Sequence, residues 1–565
     1  MCLAVAIVPL ISCSSDQSAQ PPGSVRFSIQ LNPNSSSPMN KTAAAAAGPS
    51  GGIDCAATGI SIIRAIVLDS SGAELVRADF NCTNPQGTIT GVPAGTNRQL
   101  QLLALPSATS VGLYQGTSAN LTISPEATTD VGIVTLTTNS LHMTFGRYLH
   151  TATLLENGMV LVTGGRDSQL SPQSPVSAEL FDPNGNHGLG AWIRMFDMRQ
   201  MRSAHTATLM ENFPGQLKGN VLIAGGANGA VVDHDIPITV CDSDLFNPQT
   251  QLFVTVPAPT CLGPPNSQGF EAFFPRDHHT ATLLNQSHAG NVTTAFLLVA
   301  GGIGPTKSAQ LFDPSNSGWK TTGNLLTARW VHTATLLLNG KVLVAGGFSQ
   351  RNNDQNLNDT TGTISGAELY DPTTAKWTST ADIPPLQNCS GSGRSRHTAT
   401  LLKNGKVLIV GGRALTGGGP TGYYCAPADA VLFNPTLNSG VGGWETFPAV
   451  PQPVWGRAGH TATRLPDGSV LIAGGTNMSQ LVREVERFDP NANNGAGAWT
   501  TIGQLVTGRL NHTATCLPPG IVLIAGGNRD AQDGTESPFF FGLANTATDS
   551  VEFLISPSSQ SSGGC

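Results

Sequence analysis

Apolar positions along this chain fall in short runs rich in Val, Ile, Leu and Thr, broken by Gly, Pro and Asn. No stretch keeps the 3.6-residue period of a long amphipathic helix, so the pattern predicts an all-β protein. The runs recur in a fixed order. His-Thr-Ala-Thr opens one at His150, His205, His279, His332, His397, His460 and His512, with an arginine three residues earlier at Arg147, Arg202, Arg276, Arg329, Arg394, Arg457 and Arg509. A second apolar run follows and ends in a glycine pair, from Gly164-Gly165 in the first copy to Gly526-Gly527 in the seventh. The third run ends in an aromatic and Asp/Asn-Pro, as in Leu180-Phe181-Asp182-Pro183, and a fourth opens on Trp192, Trp319, Trp377, Trp444 or Trp499, with Phe253 in the second copy. Proline cannot donate to a ladder, so Asp/Asn-Pro marks a strand end and a turn.

Each copy therefore supplies four short strands, the content of one propeller blade. A lone blade cannot bury both faces, whereas a closed ring of blades packs face to face and hides its edges. The double glycine followed by an aromatic and then Trp resembles the kelch family, over roughly residues 138–556. That resemblance implies a seven-bladed kelch-type β-propeller like the central domain of galactose oxidase. The seventh copy has a third run at Asp549 to Ile555 but no Asp-Pro or Trp. A fourth strand for it is expected from Asn139 to Thr144, which would clasp the ring. Residues 25–137 alternate as strands do, and the Gly91-Val92-Pro93-Ala94-Gly95 turn resembles Ig-like or carboxypeptidase-regulatory β-sandwich modules.

The start of the chain reads as a targeting segment. Leu3 to Ile11 is apolar and too short to span a bilayer, and Leu10-Ile11-Ser12-Cys13 resembles a bacterial lipobox. The resemblance implies a signal peptide over 1–12, lipidation of Cys13, a tether over 13–24, and an outer-membrane lipoprotein, periplasmic or surface-exposed. The last residues, 557–565, read as a tail. In an exported chain, cysteines invite disulfide arithmetic. The expected pairs are Cys55 with Cys82, Cys241 with Cys261, and Cys389 with Cys425, while Cys516, inside a predicted strand, reads as a small buried hydrophobe.

Only 12% of residues are charged and the net charge is −7, which does not suit a nucleic-acid surface. The seven Arg and seven His read as a recurrent structural bond between strands, because a catalytic centre rarely needs the same residue from every blade. No metal site is expected. Asn352 to Asp359 and Asn528 to Glu536 carry oxygen ligands of the kind calcium takes, although turn composition alone explains them. Loop length is more informative. The long excursions follow the glycine pairs or join blades, and in a propeller both emerge on one face. Variable loops on a rigid scaffold are where binding residues sit, which points to His234, Trp330, Tyr423, Tyr424 and Trp455. The resulting expectation is a cell-envelope module without catalysis, binding a protein or a glycan, anchored to the membrane by lipid only. The alternative is a carbohydrate-active enzyme, either a galactose-oxidase-like copper oxidase or a sugar mutarotase. For the oxidase, Tyr423-Tyr424-Cys425 is suggestive, but the copper-ligand set of that family cannot be matched residue by residue.

Overall fold

The computed structural model describes residues 21–555 apart from 32–54, 56–59, 108–111, 168–176, 257–275, 287–293, 303–306, 314–317, 350–362, 417–422, 447–450, 530–546 and shorter gaps at 85, 139–140, 212, 214–216, 233–235, 241, 390, 392 and 519. Cys13, Cys241, Cys261, His234, most of both calcium-candidate loops and the 557–565 tail lie outside the described residues.

The N-terminal domain is built from β1 (Gly23–Leu31), β2 (Ile62–Leu68), β3 (Glu74–Asn81), β4 (Gln86–Val92), β5 (Gly95–Leu105), β6 (Tyr114–Ile123) and β7 (Thr128–Thr138). They hydrogen-bond in the order β3-β2-β5-β6-β7-β1-β4, with β1 and β7 parallel. This one sheet folds over itself. Val25, Phe27 and Ile89 from one end pack against Ile63, Ala65, Leu100 and Leu102 from the other, giving a sandwich-like core. Disulfide bonding joins Cys55 to Cys82, just beyond the end of β3.

Seven four-stranded antiparallel sheets follow. In blade 1 the strands are Thr151–Leu154, Val160–Thr163, Ala178–Asp182 and Ala191–Arg194, numbered one to four from the axis outward. First strands of successive blades are neighbours around a complete circle, and the seventh, Thr513–Leu517, returns to the first. Every residue of the second strand of blade 1 is buried, because both faces of a blade are covered. In blade 1, Leu161 packs toward Val221 and Ile223 of blade 2, while Val160 and Val162 face Leu523 and Ala525 of blade 7. Cross-strand aromatic pairs stiffen the outer half, such as Phe181 with Trp192 and Tyr370 with Trp377, centroids 5.2 and 5.0 Å apart. The Trp377 and Trp444 indoles donate to the Gly323 and Ala381 carbonyls on the preceding blade-to-blade connections. Strand four of blade 7 is β8 (Leu141–His142), paired with Ser550 and Val551, so the ring is closed by chain from its beginning and its end.

The repeated arginines lie inside the blades at 0% exposure. In each, one guanidinium nitrogen donates to the carbonyl of the first paired glycine, as from Arg147 to Gly164 and from Arg329 to Gly346, both 2.9 Å. The other meets a third-strand carboxylate, Glu179, Asp244, Glu368, Glu486 or Glu552, or in blade 5 Asp429 just ahead of that strand. Blade 3 has Gln310 there, its amide oxygen 3.4 Å from Arg276. The Glu368 and Glu552 carboxylates also accept from two backbone N–H groups of the incoming connection, at 326–327 and 506–507. Removing one partner of a buried pair strands the other charge. Glu368→Ala is therefore expected to destabilise the fold by about 3–5 kcal/mol in urea unfolding, with Glu368→Gln milder because blade 3 accepts an amide. Equal stability of Glu368→Ala and the parent chain would overturn this role for the carboxylate.

Candidate functional site

The two ends of the propeller differ. On one, Asx turns close the third-to-fourth-strand connections, with Asp182, Asp371 and Asp489 accepting from the backbone two residues on. The N-terminal domain docks on this end at blade 1. The Gly112 N–H donates to the Gly188 carbonyl at 2.6 Å, and Leu189 enters a cluster with Ile66, Leu68, Leu103 and Leu105. At the opposite end the Arg-x-x-His segments and the residues after the glycine pairs meet in short bridges, including Tyr148 with Arg166, Trp330 with Phe348, and Ser395 with Arg413. Blade-to-blade and second-to-third-strand connections thus share one loop-bearing face.

Around the axis of that face the blades are stitched together twice. Each second glycine donates its N–H to the arginine carbonyl of the next blade, from Gly165 to Arg202 (3.0 Å) round to Gly527 to Arg147 (2.8 Å). Glycine is required here: a Cβ on Gly164 would run into the Arg202 carbonyl oxygen and the His205 ring. Each histidine Nε2 is hydrogen-bonded to the first threonine of the preceding blade: His150 to Thr513, His205 to Thr151, His279 to Thr206, His332 to Thr280, His397 to Thr333, His460 to Thr398 and His512 to Thr461, all at 2.9–3.0 Å. The arginine side chain thus works within a blade and the histidine between blades, two bonds where the sequence suggested one. The geometry is that of a scaffold seam.

Burial, then the positive charge of the neighbouring arginine, depresses the affinity of these imidazoles for protons; His397 falls from its ordinary 6.5 to about 3, and His205, His279, His332, His460 and His512 fall well below it. For His150 burial and Arg147 likewise bring the value to about 3. A depressed folded value means the unfolded chain takes up protons first. The stability this linkage contributes is fully present above pH 6.5 and is lost as pH falls toward about 3. Urea midpoints should therefore drop continuously through that window, and His397→Gln should flatten the slope by about one proton. A flat midpoint between pH 6.5 and 4 would show that the imidazoles are already protonated in the fold.

Of the residues predicted to bind, the structure brings two into one cluster. Trp330 is 6% exposed, its ring 5.1 Å from Phe348 and 5.8 Å from His278. Phe348 in turn meets the half-buried Tyr424 edge-on at 6.4 Å, and the Arg413 guanidinium lies 4.1 Å over the Tyr424 ring. This cluster joins blades 3, 4 and 5. Tyr424 sits on a hairpin, Ala414–Thr416 with Tyr423–Cys425, that rises from blade 5 and is tied by the Cys389–Cys425 disulfide to the connection arriving from blade 4. Trp455 is half-buried on the connection before Arg457, apart from this set of contacts. Phe348 and Arg413 were missed from sequence; the signal was there, since each directly follows a glycine pair at the root of a long loop. Cys516 departs from expectation: it is disulfide-bonded rather than a free hydrophobe. Among the described residues, no three His, Cys, Asp or Glu side chains gather as a metal site requires.

No family model matches the chain. It is similar to the F-box/kelch-repeat protein SKIP30 of Arabidopsis thaliana, 32% identical over 139 residues, 22% of this chain and 35% of that protein. It is also similar to the kelch-like protein terF of Aspergillus terreus, 24% identical over 273 residues, 46% of this chain and 52% of that one. The chain thus spans about a third to a half of these curated relatives. Among solved structures, YjhT aligns with a TM-score of 0.42 at 14% identity, covering 64% of this chain and all of that one. A fungal alcohol oxidase of the AA5 family in complex with copper aligns with 0.49 at 14%, covering 73% and 75%. Seven Arg-x-x-His and Gly-Gly units fold as seven four-stranded blades and the sequence relatives are kelch-repeat proteins, so the chain has the fold of a β-propeller built from kelch-type repeats.

Proposed function

We propose that the chain is a binding module without catalysis, held at the cell envelope through Cys13, and that it engages a protein or glycan partner with its loop-bearing face. The observation that carries this is the aromatic and arginine cluster of Trp330, Phe348, Tyr424 and Arg413, pinned by the Cys389–Cys425 disulfide on the face opposite the N-terminal domain. Tyrosine, tryptophan and arginine are the side chains that dominate binding hot spots. A chain tethered ahead of the N-terminal domain would present this face outward. No helix among the described residues is long and apolar enough to cross a membrane. The copper-radical alternative loses its suggestive triplet, because the Cys425 sulfur is bonded to Cys389 and is not free to form a thioether with tyrosine.

Photo-cross-linking from position 424 on intact cells, beside a glycan array probed with the purified chain, tests the reading. A cross-linked partner or a bound glycan is the expected result, and in a binding titration Tyr424→Ala should weaken it at least about tenfold. Neither a cross-link nor a glycan signal would overturn it.

A further inference from the structure

In one of the seven Arg-x-x-His segments, the third, an acid and an imidazole fill the two middle positions as Asp277 and His278. The fold does not call for a carboxylate there, since the same place holds Tyr148, Ser203, Trp330, Ser395, Ala458 or Leu510 in the other copies. Asp277 is nonetheless only 1% exposed. Its Oδ1 lies 2.6 Å from His278 Nδ1, and its Oδ2 is buried without a hydrogen-bond partner among the described residues. A carboxylate buried on a single hydrogen bond opposes folding. What this one accomplishes is to hold the imidazole.

A carboxylate accepts, so Nδ1 carries the proton between the two side chains and Nε2 of the neutral ring offers a lone pair. That Nε2 has no hydrogen-bond partner among the described residues and is not enclosed, the side chain keeping 18% of its surface. The backbone sets His278 on the circle around the mouth of the loop-bearing face. Its N–H donates to the Ala204 carbonyl (3.0 Å) and its carbonyl accepts from Val331 (3.2 Å), the corresponding residues of the blades on either side. Its ring meets Trp330 edge-on, centroids 5.8 Å apart, which joins it to the aromatic cluster of blades 3, 4 and 5. In the seam the matching nitrogen is occupied, as where His279 Nε2 bonds Thr206.

The charge of Asp277 is matched nearby. Burial lowers the proton affinity of the Arg166 guanidinium, while Tyr148 and Asp277 support its charge. Ligand sites combine aromatic rings with a few fixed polar groups. An oriented, uncharged acceptor beside aromatic rings, its acid already offset by a guanidinium, suits the hydroxyl of a neutral ligand better than an ion. A half-buried residue on the axial circle also favours a small ligand over the flat surface of a protein.

We infer that His278, held by Asp277, is the hydrogen-bond acceptor for a hydroxyl of a neutral sugar that enters the mouth of the ring beside Trp330. This rests on the loop-face binding reading and assigns it a ligand class and a polar contact.

The test is titration of the full chain with the neutral methyl glycosides of glucose, galactose, mannose and N-acetylglucosamine, followed by calorimetry and by NMR of the imidazole signals. At least one glycoside should shift the His278 signal saturably and leave the seam histidines in place. The double variant Asp277→Ser with His278→Ala identifies that signal by its loss. It gives blade 3 the Ser-Ala pair that blade 2 carries as Ser203-Ala204, with the same left-handed backbone, so it strands no charge and should keep the melting midpoint. Its affinity for the glycoside should fall at least about tenfold. Asp277→Ser alone keeps the imidazole but frees its ring, so the signal should still shift while affinity falls in part. No shift with any glycoside, binding that survives the double variant, or full affinity in Asp277→Ser would overturn the inference. A partner cross-linked from position 424 and weakened by Tyr424→Ala, but indifferent to the double variant, would leave the loop-face reading standing and remove only the sugar.

Discussion

A buried arginine in each blade is the constraint on which the rest of this structure depends. Its side chain ties the end of the second strand to a carboxylate of the third, and its backbone carbonyl accepts from the glycine of the blade before. One residue therefore joins the internal order of a blade to its angle against the next. That double duty explains the glycine pair, since only a residue without Cβ lets the neighbouring arginine carbonyl come so close. It also explains the recurring acid in the third strand, because a guanidinium at 0% exposure needs a partner. The threonine and histidine seam adds a polar bond at every blade boundary.

Repetition of the seam leaves little freedom for the inner wall, and variation is confined to what the seam does not use. Connections on the face with the Asx turns stay short, and the N-terminal domain covers blade 1 there. The other face carries the hairpin with Tyr424, the disulfide between Cys389 and Cys425, and the third slot of each Arg-x-x-His segment. Rigidity and diversity are thus divided between the two ends of one ring. A rigid rim with diverse side chains is preorganised for binding, because little further order has to be imposed when a ligand arrives.

Much of this was legible before the structure. Blade content, the strand order within a blade and the donation of a closing strand near residue 141 all followed from counting runs and noticing which copy lacked its fourth. The loop-bearing face followed from connection lengths. Trp330 and Tyr424 were named for that face, and they do meet through Phe348, although Trp330 is more buried than a contact residue is expected to be. Cys516 misled because a cysteine inside a strand pattern has the same local signature whether or not its sulfur is bonded.

The sequence by itself determined the repeat, and with it the fold, because a four-strand unit repeated seven times has few ways to bury both faces of every sheet. Local chemistry also set the turns, since Asp/Asn-Pro and Gly-Gly admit few backbone conformations. Only the tertiary structure decided which bond each repeated side chain makes. Arginine and histidine stand three residues apart in the chain, yet one turns into its own blade and the other reaches across to the previous one. That choice depends on neighbours brought in from distant parts of the sequence. The bond between Arg396 and Asn511 is likewise a property of the closed ring: the two are 115 residues apart and meet only when the circle of blades places Gly459 between them.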